Sequence, residues 1–318
     1  MIVAVCEEVL PSHLEKISRE TGEEVLLYSS VKEVPNPIKE SLEVLLAYGP
    51  SFDGRPMATF EQFPKLKWVQ WFSAGIDDLD IRELDARGIT LTNASGIHIK
   101  PMSEYVLMCI LYFEKDMARY QSLKNKKQFD RSKLVGELTG LKVLLYGTGV
   151  IGQAIAKTLS QFDITVFGVN TSGKTVPYFQ ETYTLEEAEK EIGNVDYVIS
   201  LLPSTTNTRN FFSKAYLQKM KPESVFISIG RGNVVDEQAV VELIQSKVLR
   251  GAAMDVFRQE PLPADSPLWE CENLILTPHM SAKSIYYMDR CVDIFVKNVK
   301  ARKGDGEMIN VINTSREY

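Results

Sequence analysis

The 318-residue sequence is short of histidine and cysteine and has no long apolar run, and each shortage narrows what the chain can be. Its three histidines, His13, His98 and His279, leave so few candidates for imidazole chemistry that each can be weighed by name. Four cysteines, Cys6, Cys109, Cys271 and Cys291, lie far apart, with no CxxC and no Cys/His spacing suited to a metal. They read as buried, reduced thiols of a cytoplasmic protein, and no metal site is expected. The longest apolar run, residues 105–113, is bracketed by Glu104 and Glu114 and is about half of a bilayer span, so no membrane segment is expected. The opening stretch MIVAVCEEVL has two glutamates and no basic segment, unlike a signal peptide. Positive charge is also in deficit. Against 42 Asp and Glu there are 36 Lys and Arg, a net charge of −6, which argues against gripping nucleic acid or anionic lipid through the overall field.

What remains is ordinary for a globular protein, 44% apolar and 25% charged, at a length that suits about two domains. Apolar runs at Ile2–Val5, Val25–Tyr28, 44–48 and Trp68–Trp71 read as buried strands, with helices or turns over 10–21 and 38–44. This alternation predicts an α/β layer with parallel strands. Residues 98–119 read as one long apolar-faced helix, and the lysine-rich stretch 121–138 as an exposed excursion. A more regular series opens at Lys142–Tyr146 and continues through apolar runs at 165–169, 197–202, 225–229, 252–256 and 274–276. Helical patterns separate these runs, one opening on a capping box, Thr184 with Glu187. Strands that are apolar throughout fit a sheet covered on both faces, as in a doubly wound fold. An amphipathic helix after Ala282 runs to about Arg302, followed by a short apolar piece, 308–312.

After the run KVLLY comes Gly147-Thr-Gly149-Val150-Ile151-Gly152 and then a helix pattern. The three glycines serve a tight turn, close approach of backbone to a pyrophosphate, and close packing of helix on strand. The helix N-terminus adds free N–H groups and a positive dipole end. A dinucleotide is therefore the expected cofactor. An NAD site expects an acidic residue about 20 residues on, to hold the ribose 2′-hydroxyl. None occurs between Ile164 and Gln180; Asn170, Thr171, Ser172 and Lys174 stand there instead. Two hydroxyls and a cation suit a 2′-phosphate and favour NADP(H) over NAD(H), the alternative being Asn170 serving NAD with Lys174 a plain surface charge.

Three features follow strand ends, where ligands bind in open α/β sheets. Residues 225–229 run into Gly230-Arg231-Gly232; 252–256 carry Asp255 and lead to Glu260-Pro-Leu-Pro263; and 274–276 run into Thr277-Pro-His279. Reducing a 2-keto acid needs a proton donor for the carbonyl oxygen, which histidine supplies well near neutrality. It also needs a carboxylate to fix that histidine's tautomer, and a cation to hold the substrate carboxylate. His279, Glu260 and Arg231 provide one of each. His13 reads as structural or surface, and His98 as structural or at the edge of a cleft.

Taken together these segments resemble the D-isomer-specific 2-hydroxyacid dehydrogenases, which include glyoxylate/hydroxypyruvate reductases and phosphoglycerate dehydrogenases. The resemblance rests on residues 145–152, on Leu201-Leu202-Pro203 with Thr205 and Thr208, and on residues 228–236. It also rests on 251–257 with Glu260-Pro-Leu262, on Leu276-Thr-Pro-His279, and upstream on Phe72-Ser73-Ala74-Gly75 with Asp77. It implies that Arg231 binds and polarises substrate, that His279 is the acid/base and that Glu260 is its partner. It implies further that backbone N–H groups of Ser73, Ala74 and Gly75 bind the substrate carboxylate, with Trp71, Phe72 and Met280 nearby. Asp255 would contact the nicotinamide amide, and Leu202, Pro203, Thr208 and Gly230 would belong to the cofactor pocket. Met102 departs from the Thr or Val of many members.

The implied architecture is a Rossmann doubly wound sheet (98–283) inserted into a smaller, flavodoxin-like α/β substrate domain (1–97 and 284–318), with the active site in the cleft between them. A homodimer joined through the cofactor domain and its lysine-rich arm is also implied. The expected reaction is hydride transfer between NAD(P)H and a small 2-keto acid. The alternatives are a catalytically idle dinucleotide sensor on the same fold, or a hydride-transfer enzyme acting on formate or phosphite.

Overall fold

The computed structural model describes residues 1–49, 60–76 and 79–313. The chain divides into two compact units, Met1–His98 with Ser284–Tyr318, and Ile99–Lys283. The first contains β1 (Ile2–Val5), α1 (Pro11–Thr21), β2 (Val25–Tyr28), α2 (Asn36–Ser41), β3 (Val44–Ala47), β4 (Trp68–Trp71), α3 (Ile81–Ala86) and β5 (Thr90–Thr92). The second contains α4 (Ile99–Glu114), α5 (Met117–Asn125), β6 (Lys142–Tyr146), α6 (Val150–Ser160), β7 (Thr165–Val169), β8 (Glu181–Tyr183), α7 (Leu185–Glu191) and β9 (Tyr197–Ser200). It continues through α8 (Lys214–Leu217), β10 (Ser224–Ser228), α9 (Glu237–Gln245), β11 (Leu249–Met254) and β12 (Leu274–Leu276). Helix α10 (Tyr287–Arg302) belongs to the first unit.

The first unit is a parallel five-stranded sheet in the order β2-β1-β3-β4-β5, the flavodoxin-like arrangement. Its strands are apolar on both faces because both are covered. Ile2, Ala4, Leu46 and Trp68 pack with Ile17 of α1 and with Val292, Phe295 and Val299 of α10. Val3, Val5, Leu45 and Val69 pack on the other side with Phe60, Phe63 and Leu84. Trp68 stacks on Phe295 with ring centroids 5.2 Å apart. Its indole N–H donates to Thr92 Oγ1 at 2.8 Å, which satisfies the one polar atom such burial would orphan.

The second unit is a seven-stranded parallel sheet, β12-β11-β10-β9-β6-β7-β8. The order reverses between β6 and β9, the switch point at which doubly wound sheets take their ligands. Leu144, Tyr146, Val198, Phe226 and Met254 face one helical layer with Ala188, Leu217 and Val240. Val143, Leu145, Ile199, Val225 and Ile227 face another, formed by Val106 and Ile110 of α4 with Ile155 and Leu159 of α6. The doubly wound architecture expected from strands apolar throughout is the one observed.

Local details differ from the sequence expectations. The helix expected over 98–119 is two helices, because Asp116 takes a left-handed conformation (φ 51°) and starts α5 afresh. At that break Glu114 is drawn inward, accepting from Tyr197 Oη (2.6 Å) and Arg250 Nη2 (2.6 Å), and Lys115 reaches the Gly136 carbonyl (2.8 Å). The polar excursion therefore begins as helix α5 and becomes irregular only after Asn125. Strands β5 and β8 and helix α3 are too short and polar to show as apolar runs. His13 is buried: its Nδ1 accepts the Leu10 N–H (3.0 Å) at the start of α1, and its Nε2 lies 3.4 Å from Asp289. No helix among the described residues is long and apolar enough to cross a membrane.

Candidate active site

The phosphate turn shows why its glycines are needed. Gly147 has φ 109°, and its N–H donates to the Val169 carbonyl (2.9 Å), tying the turn to β7. A Cβ on Gly152 would lie 2.0 Å from the Gly147 carbonyl oxygen, so only hydrogen lets α6 settle on the turn. Above Gly149 a Cβ would meet no atom within 4 Å, which leaves an open cradle at the helix N-terminus. Gln153 is the first helix residue whose N–H finds a backbone partner, on Gly149 O (2.9 Å). Among the described residues the N–H groups of Val150, Ile151 and Gly152 therefore have no partner, and the residues present fit a dinucleotide pyrophosphate.

Asn170 braces this cradle. Its Nδ2 donates to Thr148 Oγ1 (3.1 Å) and to the Lys174 carbonyl (3.2 Å), and its Oδ1 accepts from Ser172 N (3.0 Å) and Ser172 Oγ (3.2 Å). Its side chain thus joins the glycine turn to the 170–174 loop. Thr171, Ser172 and Lys174 are exposed, and among the described residues nothing pairs with the Lys174 ammonium. After β9, Leu202 is half-buried and Pro203 exposed, with Thr208 Oγ1 donating to the Pro203 carbonyl (2.5 Å) to hold that loop.

Two glycines set the conformation of Arg231. A Cβ on Gly230 would lie 2.6 Å from Leu202 O, and one on Gly232 would lie 2.0 Å from the Phe257 carbonyl carbon. Neighbouring backbone therefore presses on both flanks. Arg231 lies between them in extended conformation, its exposed side chain bonded only to the Gly230 carbonyl (Nη1, 3.0 Å), with no carboxylate partner among the described residues. Its guanidinium fork is open to an anion.

Glu260 and His279 are brought together. His279 Nδ1 lies 2.8 Å from Glu260 Oε2, while Glu260 Oε1 accepts the Phe257 N–H (2.9 Å). One carboxylate oxygen anchors the loop that carries it and the other orients the imidazole. The geometry has Nδ1–H donating, and leaves Nε2 without a partner among the described residues. A largely apolar cavity of about 680 Å³ opens beside the pair, lined by Phe257, Leu262, Trp269 and Pro278 as well as Glu260 and His279.

Asp255 lies beneath the turn that carries His279. It is 0% exposed, and its carboxylate accepts from Thr277 Oγ1 (2.6 Å), Met280 N (2.8 Å) and Ser281 N (2.9 Å). The carboxylate thus faces the 277–281 turn. His279, in a left-handed conformation (φ 50°), donates its own N–H to the Asp255 carbonyl (2.8 Å), so Asp255 holds the turn that presents the imidazole. Behind it, Tyr105 Oη lies 2.7 Å from Thr277 Oγ1. Burial pushes the Tyr105 phenol well above its ordinary range, so it stays protonated and can donate. Tyr105 escaped the sequence reading; the available signal was a phenol inside an apolar run, whose hydroxyl needs a partner.

In the first unit, Ser73 and Ala74 are half-buried and Gly75 exposed, in the bend after β4. Asp77 lies outside the described residues. His98 packs its ring 5.7 Å from that of Tyr287.

Comparison with known proteins shows the family of the chain. The profile of the D-isomer specific 2-hydroxyacid dehydrogenase NAD binding domain matches residues 107–281. A glyoxylate reductase of Thermofilum pendens is 32% identical over 248 residues, covering 75% of this chain and 72% of the relative. Among solved structures, a D-isomer specific 2-hydroxyacid dehydrogenase family protein from Aeromonas salmonicida superposes with a TM-score of 0.81 at 31% identity, covering 99% of each chain. An NADPH-dependent glyoxylate/hydroxypyruvate reductase from Sinorhizobium meliloti, in complex with NADP and sulfate, superposes at 0.78 with 25% identity, covering 100% of this chain and 99% of that one. The chain belongs to the D-isomer specific 2-hydroxyacid dehydrogenase family.

Proposed function

We propose that the protein reduces a small 2-keto acid reversibly to its D-2-hydroxy acid with NAD(P)H, and that NADP(H) is the preferred form. The observation that carries this reading is the Glu260–His279 pair, at the same carboxyl end of the sheet as Arg231 and an open glycine cradle, with Nε2 of His279 lacking a partner and Arg231 lacking a carboxylate among the described residues. When bound, the reduced nicotinamide supplies the hydride that goes to the keto carbon. His279 donates its proton to the carbonyl oxygen as that oxygen gains charge, and Glu260 stabilises the imidazolium before transfer. Arg231 grips and polarises the substrate, and the backbone N–H groups of Ser73, Ala74 and Gly75 bind its carboxylate. Val150, Ile151 and Gly152 hold the pyrophosphate, with Leu202, Pro203, Thr208 and Gly230 around the nucleotide. Thr171, Ser172 and Lys174 receive the 2′-phosphate, positioned by Asn170.

The first unit would then be the substrate domain and the second the dinucleotide domain. The relatives that bind NADP support the cofactor preference, since one of them carries it in a fold that superposes over the whole chain. Four buried free thiols fit the reducing cytoplasm. The exposed Phe129 and Leu134, on the segment after α5, fit an arm that covers a second copy in a homodimer.

The test follows NADPH and NADH oxidation over a panel of 2-keto acids. The wild type should turn over at least one acid, faster with NADPH, and His279→Ala should lower kcat about 10²–10⁴-fold. Lys174→Ala should erase most of the preference for NADPH. Nucleotide binding with no turnover on any acid would support the sensor reading instead, and unchanged turnover in His279→Ala would remove His279 from the chemistry.

A further inference from the structure

Four consecutive carbonyl groups follow β4, and each is held by a different part of the first unit. Tyr287 Oη donates to Phe72 O (2.7 Å), the Ala94 N–H to Ser73 O (3.0 Å), Asn93 Nδ2 to Ala74 O (2.7 Å) and Trp71 Nε1 to Gly75 O (3.1 Å). A trans peptide is planar, so its N–H points opposite to its C=O. Pinning these four carbonyls turns the N–H groups of Ser73, Ala74, Gly75 and Ile76 away from their anchors. Among the described residues none of the four has an acceptor. Such a run is uncommon in a bend this well supported, because a free backbone donor costs about as much as a lost hydrogen bond unless water or a ligand takes it.

The anchors are themselves rigid. Asn93 is 5% exposed; its Oδ1 accepts Ser95 N (3.1 Å), and its carbonyl accepts from Gln70 Nε2 (3.3 Å) and Asn310 Nδ2 (3.3 Å). Gln70, fully buried, accepts from Thr92 Oγ1 (2.9 Å) and Asn298 Nδ2 (3.0 Å). The network thus runs from β4 and β5 to α10 and the chain's last bridge, Thr92 with Val311. Tyr287 opens α10, and burial pushes its phenol above the ordinary range, which keeps it a donor across the working pH.

We infer that Tyr287 and Asn93 are positioning residues that hold the 72–75 backbone so that its N–H groups form a docking site for a carboxylate, selecting 2-keto acids with a free acid group over their neutral esters. This rests on the proposed reduction of 2-keto acids and assigns the residues that build its anion site. A contact made equally in ground and transition states affects KM rather than kcat.

The experiment compares wild type, Tyr287→Phe and Asn93→Ser, each with the best 2-keto acid of the panel and with its methyl ester. Oxamate binding to the NADPH-loaded protein is measured by calorimetry. Each variant loses one anchoring hydrogen bond, so KM for the acid and Kd for oxamate should rise about three- to tenfold. The kcat, the KM for NADPH and the KM for the ester should stay within about twofold. An active wild type whose variants keep the same KM and oxamate affinity would overturn the inference and leave the reaction standing. A rise that falls equally on acid and ester would also overturn it. A wild type that neither turns over any acid nor binds oxamate would overturn both.

Discussion

Asp255→Asn separates two roles that one carboxylate could have. The buried group accepts three hydrogen bonds, two on Oδ1 from Thr277 Oγ1 and Met280 N and one on Oδ2 from Ser281 N. The substituted side-chain amide keeps one oxygen, which can still serve Thr277 and Met280 but sets an NH₂ group against the Ser281 N–H. Turning the amide over is worse, since two donors then face the NH₂. The orphaned donor costs about 1–3 kcal/mol, and two surviving bonds lose their charge assistance; relief of the buried charge offsets part of this. The expected net loss is about 2 kcal/mol, a fall in Tm of about 4–8 °C for a unit of this size. His279 lies inside the loosened turn, so kcat should fall about 10–100-fold through misplacement of the imidazole. Thermal unfolding followed by circular dichroism and steady-state kinetics with each substrate varied would measure both. A variant with normal Tm and kcat but a raised KM for NADPH would refute this reasoning and return Asp255 to the nicotinamide.

Other expectations follow from the same geometry. Gly232→Ala would put a methyl 2.0 Å from the Phe257 backbone, which cannot move without shifting the loop to Glu260, so the variant should lose about 2–4 kcal/mol and most activity; denaturant unfolding and kcat/KM would check this, and a wild-type Cm would refute it. Burial pushes the Cys6 and Cys109 thiols up to about 12, so at pH 8 they carry almost no thiolate; a disulfide reagent should label them only after unfolding, and fast labelling of the native protein would contradict their placement.

The features that were legible in the sequence are those dictated by local stereochemistry. A glycine turn between an apolar strand and a helix announces a phosphate cradle, and glycines flanking an arginine announce crowded backbone, which the Leu202 and Phe257 contacts explain. What was not legible depends on partners far along the chain. The break at Asp116 follows from Glu114 being drawn to Tyr197 and Arg250, 83 and 136 residues away. The buried polar network of Gln70, Thr92 and Asn298 was hidden because Gln70 sits in an otherwise apolar strand and Asn298 on an amphipathic helix. The sequence offers Asn170 as a contact for NAD, and in the fold its side chain bonds Thr148, Ser172 and the Lys174 carbonyl. Thr148 lies 22 residues earlier and only the folded turn brings the two together.

Apolar sequence continues past the ends of several strands for a reason connected with the site. The apolar runs 197–202 and 225–229 end two residues and one residue past β9 and β10, and 252–256 passes β11 by two. The backbone ladder continues there by one further rung in each case: Leu201 N to Tyr146 O (2.9 Å), Ile229 N to Ser200 O (3.1 Å), Asp255 N to Ser228 O (3.0 Å) and, after β12, Thr277 N to Met254 O (3.1 Å). A residue on such a rung is still clamped by its neighbours, and Asp255 is accordingly buried. Arg231 and His279 each lie two positions beyond a rung residue, far enough to expose the side chain and close enough to inherit the rigidity of the sheet. The groups to which the proposed chemistry is assigned therefore stand just past the clamped rungs of a seven-stranded scaffold, where placing the strands also places those side chains, and where disturbing a rung residue should act on function mainly through geometry.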